Sequence, residues 1–147
     1  MSDNNRLRVV LCWHMHQPHY QDPVSGQYQL PWTYLHGIKD YVDMAEHLEE
    51  IPGARAVVNF APVLLEQLSD YAEQIQRHLQ DGEPIHDPLL AQLDSPVAPS
   101  GDDERLALIQ DCLRANREHL IERFPPYKRL ARIADWLVEE PEALIYV

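Results

Sequence analysis

His14 and His16, two residues apart, are followed at once by Gln17, and Asn59 lies near the end of a later apolar run. Imidazole can donate, accept, carry a proton or bind a metal, and a carboxamide donates and accepts together. Two histidines at i and i+2 can supply two metal ligands, with a third required from elsewhere. A single isolated histidine would read best as a core residue bonded under a loop. Here the pair runs into Gln17-Pro18 and a loop carrying Tyr20, Tyr28 and Trp32, which points to a polar binding site. Sugar rings present apolar CH faces, so aromatic rings beside amides and imidazoles suit carbohydrate. Tyr28 reads as loop packing onto the core. Trp32 fits either core packing or ligand contact, and Asn59 either a site role or a bond to its own backbone.

The elements that must position these groups are a strand, a helix and a second strand. Arg8–His16 is a short apolar run without a breaker, which predicts a buried strand. Its period of two puts Val10, Cys12, His14 and His16 on one face and Val9, Leu11, Trp13 and Met15 on the other. Pro18 ends the strand because it cannot donate to a ladder. Residues 17–32 form a long loop with a Ser25-Gly26 turn signal. Thr33–Glu50 predicts a helix capped by Thr33, with Leu35, Ile38, Tyr41, Val42, Ala45 and Leu48 inward and Gly37 allowing close approach to the sheet. Pro52-Gly53 stops it. Arg55–Ala61 is the second strand, so the strand–helix–strand order predicts adjacent parallel strands with His16 and Asn59 at one carboxyl edge. In α/β folds that edge is where ligands bind.

Val63–Gln80 predicts a helix with a stripe of Leu64, Leu65, Leu68, Tyr71, Ala72, Ile75 and Leu79, closed by Gly82. Glu66 near its start suits the helix dipole better than catalysis. Residues 83–101 hold four prolines and read as a linker or loop, with Leu89–Leu93 as its one helical turn and His86 and Asp87 in solvent. Asp102–Phe124 predicts one long helix, with Leu106, Ile109, Leu113 and Leu120 buried. After Pro125-Pro126, Tyr127–Glu140 predicts another, with Leu130, Ile133, Ala134 and Leu137 inward and Trp136 in the core. The implied division is 1–82, the linker 83–101, and a helical segment 102–147.

Five separated blocks together carry a resemblance. They are His14-Met15-His16-Gln17-Pro18, Leu30-Pro31-Trp32, Leu35-His36 with Lys39-Asp40-Tyr41, Val58-Asn59-Phe60-Ala61-Pro62, and Leu64-Leu65-Glu66-Gln67-Leu68. In this order, over about residues 9–71, the chain resembles the amino-terminal part of glycoside hydrolase family 57. The resemblance implies an α/β fold, the amino-terminal part of an incomplete TIM-like barrel of the (β/α)7 type (glycoside hydrolase/deacetylase type), helix-rich and with a helical insertion. It implies a retaining enzyme on α-glucans, an amylase, glucanotransferase, branching enzyme or pullulanase. What it carries over is the His-Gln-Pro block, with His16 and His14 lining the subsite of the cleaved sugar and Gln17 beside them. Trp32 and Asn59 join them as expected substrate-binding residues by residue type and position alone. The family's catalytic Glu and Asp motifs are not found here, so no nucleophile or acid is assigned, and both are expected downstream. A full eight-strand barrel needs roughly 250 residues, so a 147-residue chain ending in the apolar run Ala143–Val147 reads as a truncated piece, inactive by itself and prone to self-association.

Composition limits the alternatives. Net charge −12 and a pI near 4.9 argue against nucleic acid or an anionic membrane as partner. Two cysteines, Cys12 and Cys112, make no disulfide framework. Met1–Arg8 has no apolar signal core, and no run approaches the ~18 apolar residues of a membrane span, so a cytoplasmic location is expected. No metal or cofactor is expected. Two other classes stay open. One is a metal-dependent carbohydrate deacetylase on a related barrel, with His14 and His16 as ligands, although the paired-Asp motif is absent. The other is a non-catalytic module binding glucan or a partner.

Overall fold

Strand β1 (Cys12–Met15) pairs in parallel with β2 (Val57–Phe60), in the register Cys12–Val57, Trp13–Val58, His14–Asn59 and Met15–Phe60. The ladder is extended by Val57 N–H donating to Leu11 O at 2.8 Å and Ala61 N–H to Met15 O at 2.9 Å. The strand–helix–strand order thus gives the expected parallel pair, with shorter strands than Arg8–His16 and Arg55–Ala61. The computed structural model describes residues 7–146. Among these the sheet has two strands, and pairing stops where the partner strand ends.

The expected burial of the first strand is not found. Met15 is buried and Trp13 half-buried, but Val10 is 76% exposed and every residue of β2 is exposed. The physical reason lies in the helices, which pack chiefly on one another and not across the strands. The alternation itself holds, with Trp13 and Met15 on the covered face and Cys12, His14 and His16 on the exposed one.

The helix expected over Thr33–Glu50 is two, α1 (Trp32–Ile38) and α2 (Asp40–Glu50). They part at Lys39, whose φ of −123° and ψ of −77° leave the helical region. Asp40 and Asp43 restart α2 in its first turn, where acids suit the dipole. His36–Asp40 and Lys39–Asp43 bonds span the break. Thr33 does not cap α1. The helix begins at Trp32, and Thr33 is fully buried in its first turn. Gly37 does serve a close approach, but to a helix. A Cβ there would meet Leu68 Cδ2 of α3 (Pro62–Asp81) at 3.1 Å. Ile38 and Val42, expected inward, are exposed.

Helix α3 starts on Pro62 after an extended Ala61 and ends at Gly82, whose φ of 72° is free for glycine and whose N–H donates to His78 O at 2.9 Å. Its buried stripe is Leu64, Gln67, Tyr71 and Gln74 at helical spacing, half of it polar. Leu65 and Leu79, expected in the stripe, are exposed.

The chain divides into two units between Pro88 and Leu89, inside the proline-rich stretch. A short helix α4 (Pro88–Asp94) replaces the single turn expected there. In the second unit, α5 (Asp102–Cys112) is about half the expected helix. It ends at its cap Leu113, and three residues on Asn116 accepts His119 N–H at 2.9 Å and opens a π turn over Arg117–Ile121. The turn buries Ile121 and leaves Leu120, expected inward, exposed. Helix α6 (Pro125–Glu139) is rotated relative to its predicted face. Ala131 and Leu137 are buried, while Leu130, Ile133 and Trp136 (45%) are exposed. Leu137 joins Ala143 and Leu144 of the 3-10 turn Pro141–Tyr146, with Leu106 and Ile109 against them. No helix of the described residues is long and apolar enough to cross a membrane.

Candidate functional site

The register His14–Asn59 sets two polar side chains side by side on the exposed face of the sheet. His14 Nδ1 lies 2.6 Å from Asn59 Oδ1. A carboxamide oxygen only accepts, so Nδ1 donates in this bond and Nε2 faces away from Asn59. Asn59 keeps its NH2 group as a donor. The His16 ring stacks with His14, centroids 6.1 Å apart and planes 18° from parallel. Three of the five expected site residues therefore form one exposed polar group with unused donors and acceptors.

Gln17 and Trp32 belong to a second group, linked through residues not expected in the site. Gln17 Oε1 accepts from Tyr20 OH at 3.0 Å, and its Nε2 donates to Tyr41 OH at 3.3 Å. The Tyr41 ring lies 6.4 Å from His36, which lies 6.4 Å from Trp32. The result is a run of half-buried rings from Trp32 to Tyr20. His36, Tyr41 and Tyr20 carried a signal in the sequence. His36 and Tyr41 sit in the recurring blocks, and Tyr20 lies in the aromatic loop.

The loop that carries Gln17 is ordered by a polar network. Asp22 Oδ1 accepts from Val24 and Ser25 N–H, both at 2.8 Å, and these two donors, Ser25 first, hold its carboxyl below the usual range. Gly26 (φ 72°) donates to Asp22 O at 2.8 Å, and Gln21 bridges to Tyr28 in antiparallel fashion. Tyr28 is buried as expected, its ring 4.2 Å from Tyr71. Its hydroxyl donates to Asp70 Oδ2 at 2.8 Å, and the same oxygen takes Gln74 Nε2 at 2.6 Å and Gln21 Nε2 at 3.3 Å. Tyr71 OH donates to Asp87 Oδ2 at 2.6 Å. Asp87, expected in solvent, is buried because this tyrosine covers it. Burial, then these carboxylate bonds, push both phenols well above their ordinary range.

No carboxylate among the described residues bonds to His14, His16 or Asn59. Nor does any group of three His, Cys, Asp or Glu side chains among them gather in a way that could hold a metal ion. The arrangement can bind a hydroxyl-rich neutral ligand through acceptor, donor and ring faces.

The family model described as glycosyl hydrolase family 57 matches residues 10–130. That span contains His14, His16, Gln17, Trp32 and Asn59 and most of the chain. The comparisons with curated proteins and with solved structures gave no match.

Proposed function

The chain belongs to glycosyl hydrolase family 57, and we propose that it forms the sugar-binding amino-terminal part of a retaining enzyme acting on α-glucans. The observation that carries this is the family match, which spans all five candidate residues. The geometry of the first group supports it. In this reading His14 Nε2 accepts from a sugar hydroxyl, the Asn59 amide donates to another, and His16 lies beside the sugar that is cleaved. Trp32 offers a ring face and Gln17 a positioned amide. Such contacts accelerate a reaction only where they tighten as oxocarbenium character develops. The two carboxyl groups of a retaining mechanism, about 5 to 5.5 Å apart, are supplied by later strands of the barrel.

The test is titration of the purified chain with maltoheptaose, followed by NMR, beside a reducing-sugar assay on starch. The expected result is saturable binding that shifts the His14 and His16 ring signals, without sugar release. His16→Ala weakens binding, His19→Ala does so much less, and a chelator changes nothing. In the intact enzyme His16→Ala lowers kcat and kcat/KM together, by roughly 2–4 kcal/mol of transition-state stabilisation. Absence of binding, or zinc-dependent activity, overturns the reading.

A further inference from the structure

We propose that Gln67 is a positioning residue for the His16–Tyr20 segment, acting as a one-residue substitute for a neighbouring β-strand. The proposal takes its functional meaning from the sugar-binding reading above. Gln67 lies on α3, 49 residues from Pro18 and 47 from Tyr20, and is 1% exposed. Its Oε1 accepts from Tyr20 N–H at 2.9 Å. Its Nε2 donates to Pro18 O at 2.9 Å and to Val63 O at 3.1 Å. Both amide hydrogens and one oxygen lone pair are therefore used. The assignment of O and N is fixed by the partners, because the flipped amide would set NH2 against the Tyr20 N–H.

In extended chain, the C=O of one residue and the N–H two residues later point to the same side. A paired strand would satisfy both. Here one carboxamide does so, straddling His19, just past the point where β1 has ended at Met15. From this clamp the effect reaches the site by a short path. Tyr20, fixed through its backbone N–H, donates its hydroxyl to Gln17 Oε1, and Gln17 passes a bond on to Tyr41 OH. Apolar packing at position 67 could hold α3 near the loop but would set no register between the two. Two directional bonds to one peptide segment do set it.

The experiment uses the full chain and the variants Gln67→Leu, Gln67→Glu and Tyr20→Phe. Amide exchange, the Gln17 side-chain NH2 signals and maltoheptaose titration are read by NMR. In Gln67→Leu, Tyr20 N–H loses roughly tenfold in protection, as loss of one such bond allows. The Gln17 NH2 signals collapse toward free-amide positions, while Val57 and Ala61 N–H, which bond to Leu11 O and Met15 O, keep their protection. Gln67→Glu keeps an acceptor for Tyr20 N–H in both protonation states but can donate to Pro18 O only at acidic pH. Tyr20 protection therefore persists, while the Gln17 NH2 signals return towards their parental positions at acidic pH and collapse when the carboxyl ionises. Tyr20→Phe frees the Gln17 amide without exposing Tyr20 N–H. Maltoheptaose binding weakens roughly tenfold in Gln67→Leu and Tyr20→Phe alike. Unchanged Tyr20 protection in Gln67→Leu overturns the proposal. So does an equal loss at Tyr20, Val57 and Ala61, which marks a merely structural role. If Gln67→Leu fails to fold, Tyr20→Phe and the pH response of Gln67→Glu decide. If the parent chain binds no maltoheptaose, the sugar reading fails, and the exchange and Gln17 signals still judge the clamp.

Discussion

The bond between His14 and Asn59 makes a prediction about a proton. Asn59→Ala removes the acceptor 2.6 Å from His14 Nδ1. Both side chains are exposed, so water replaces the lost partner and the fold should lose less than about 1 kcal/mol. The tautomer of His14 should move more visibly. An intramolecular hydrogen bond of this kind contributes about 0.5–1.5 kcal/mol net. At 1 kcal/mol, the ratio of the Nδ1–H to the Nε2–H form changes about fivefold. Long-range proton–nitrogen NMR of the neutral imidazole, recorded about two pH units above the reference histidine value, reads that ratio directly. The parent chain should show mainly Nδ1–H, and Asn59→Ala a shift towards Nε2–H. Asn59→Asp, which keeps an acceptor and adds charge, should strengthen the Nδ1–H form. Finding Nε2–H dominant in the parent, or a ratio unmoved by Asn59→Ala, would show that Asn59 does not orient the ring. Nε2 would then not be the free acceptor that the sugar-binding reading requires.

Three further outcomes follow from the geometry. Tyr28 and Tyr71 have folded pKa values raised above the ordinary value of 10.0. Their contribution is complete below pH 10 and lost as pH rises past it, because the unfolded chain ionises first, so an alkaline titration should show two phenols ionising only with unfolding. Leu144→Ala, at a fully buried site in the second unit, should cost about 2–5 kcal/mol in a melting curve of that unit, and an unchanged melt would contradict the packing described. Gly82→Ala, at φ 72° with open space around it, should destabilise by roughly 1 kcal/mol through backbone strain alone, measured by urea titration.

Sequence pattern revealed what depends on local chemistry. The strand–helix–strand order, the pairing of histidines with Asn59 at one edge, Gly82 as the end of α3, and the packing role of Tyr28 all follow from period, punctuation and residue type. The misplaced faces have a different origin. In α6, Leu130, Ile133, Ala134 and Leu137 share one helical face. Periodicity names the face but not its packing partners, and burial goes to Leu137 and to Ala131 at the side of that face, leaving Leu130 and Ile133 exposed. The helix break at Lys39 and the Asn116 turn are made by side-chain and backbone bonds that carry no hydrophobic signature. The buried polar set was hidden for a related reason. Gln67, Gln74 and Asp87 look like surface residues until their partners 12 to 49 positions away are known.

That hidden set bears on how the site is held. A two-stranded sheet is marginal by itself, and here its β2 strand is exposed throughout. Apolar burial beneath the strands cannot fix His16 and Gln17, since of β1 only Met15 is buried. What remains is polar. Gln67 bonds the backbone on either side of His19, and Asp70 and Gln74 fasten Tyr28 and His86 N–H to the same helix face. Buried polar groups are costly unless satisfied, and satisfied ones are directional. A helix stripe that alternates Leu64, Gln67, Tyr71 and Gln74 therefore trades some hydrophobic stabilisation for register. Register is what a site built on a loop requires, because a shift of one residue past Pro18 would turn Gln17 away from Tyr41.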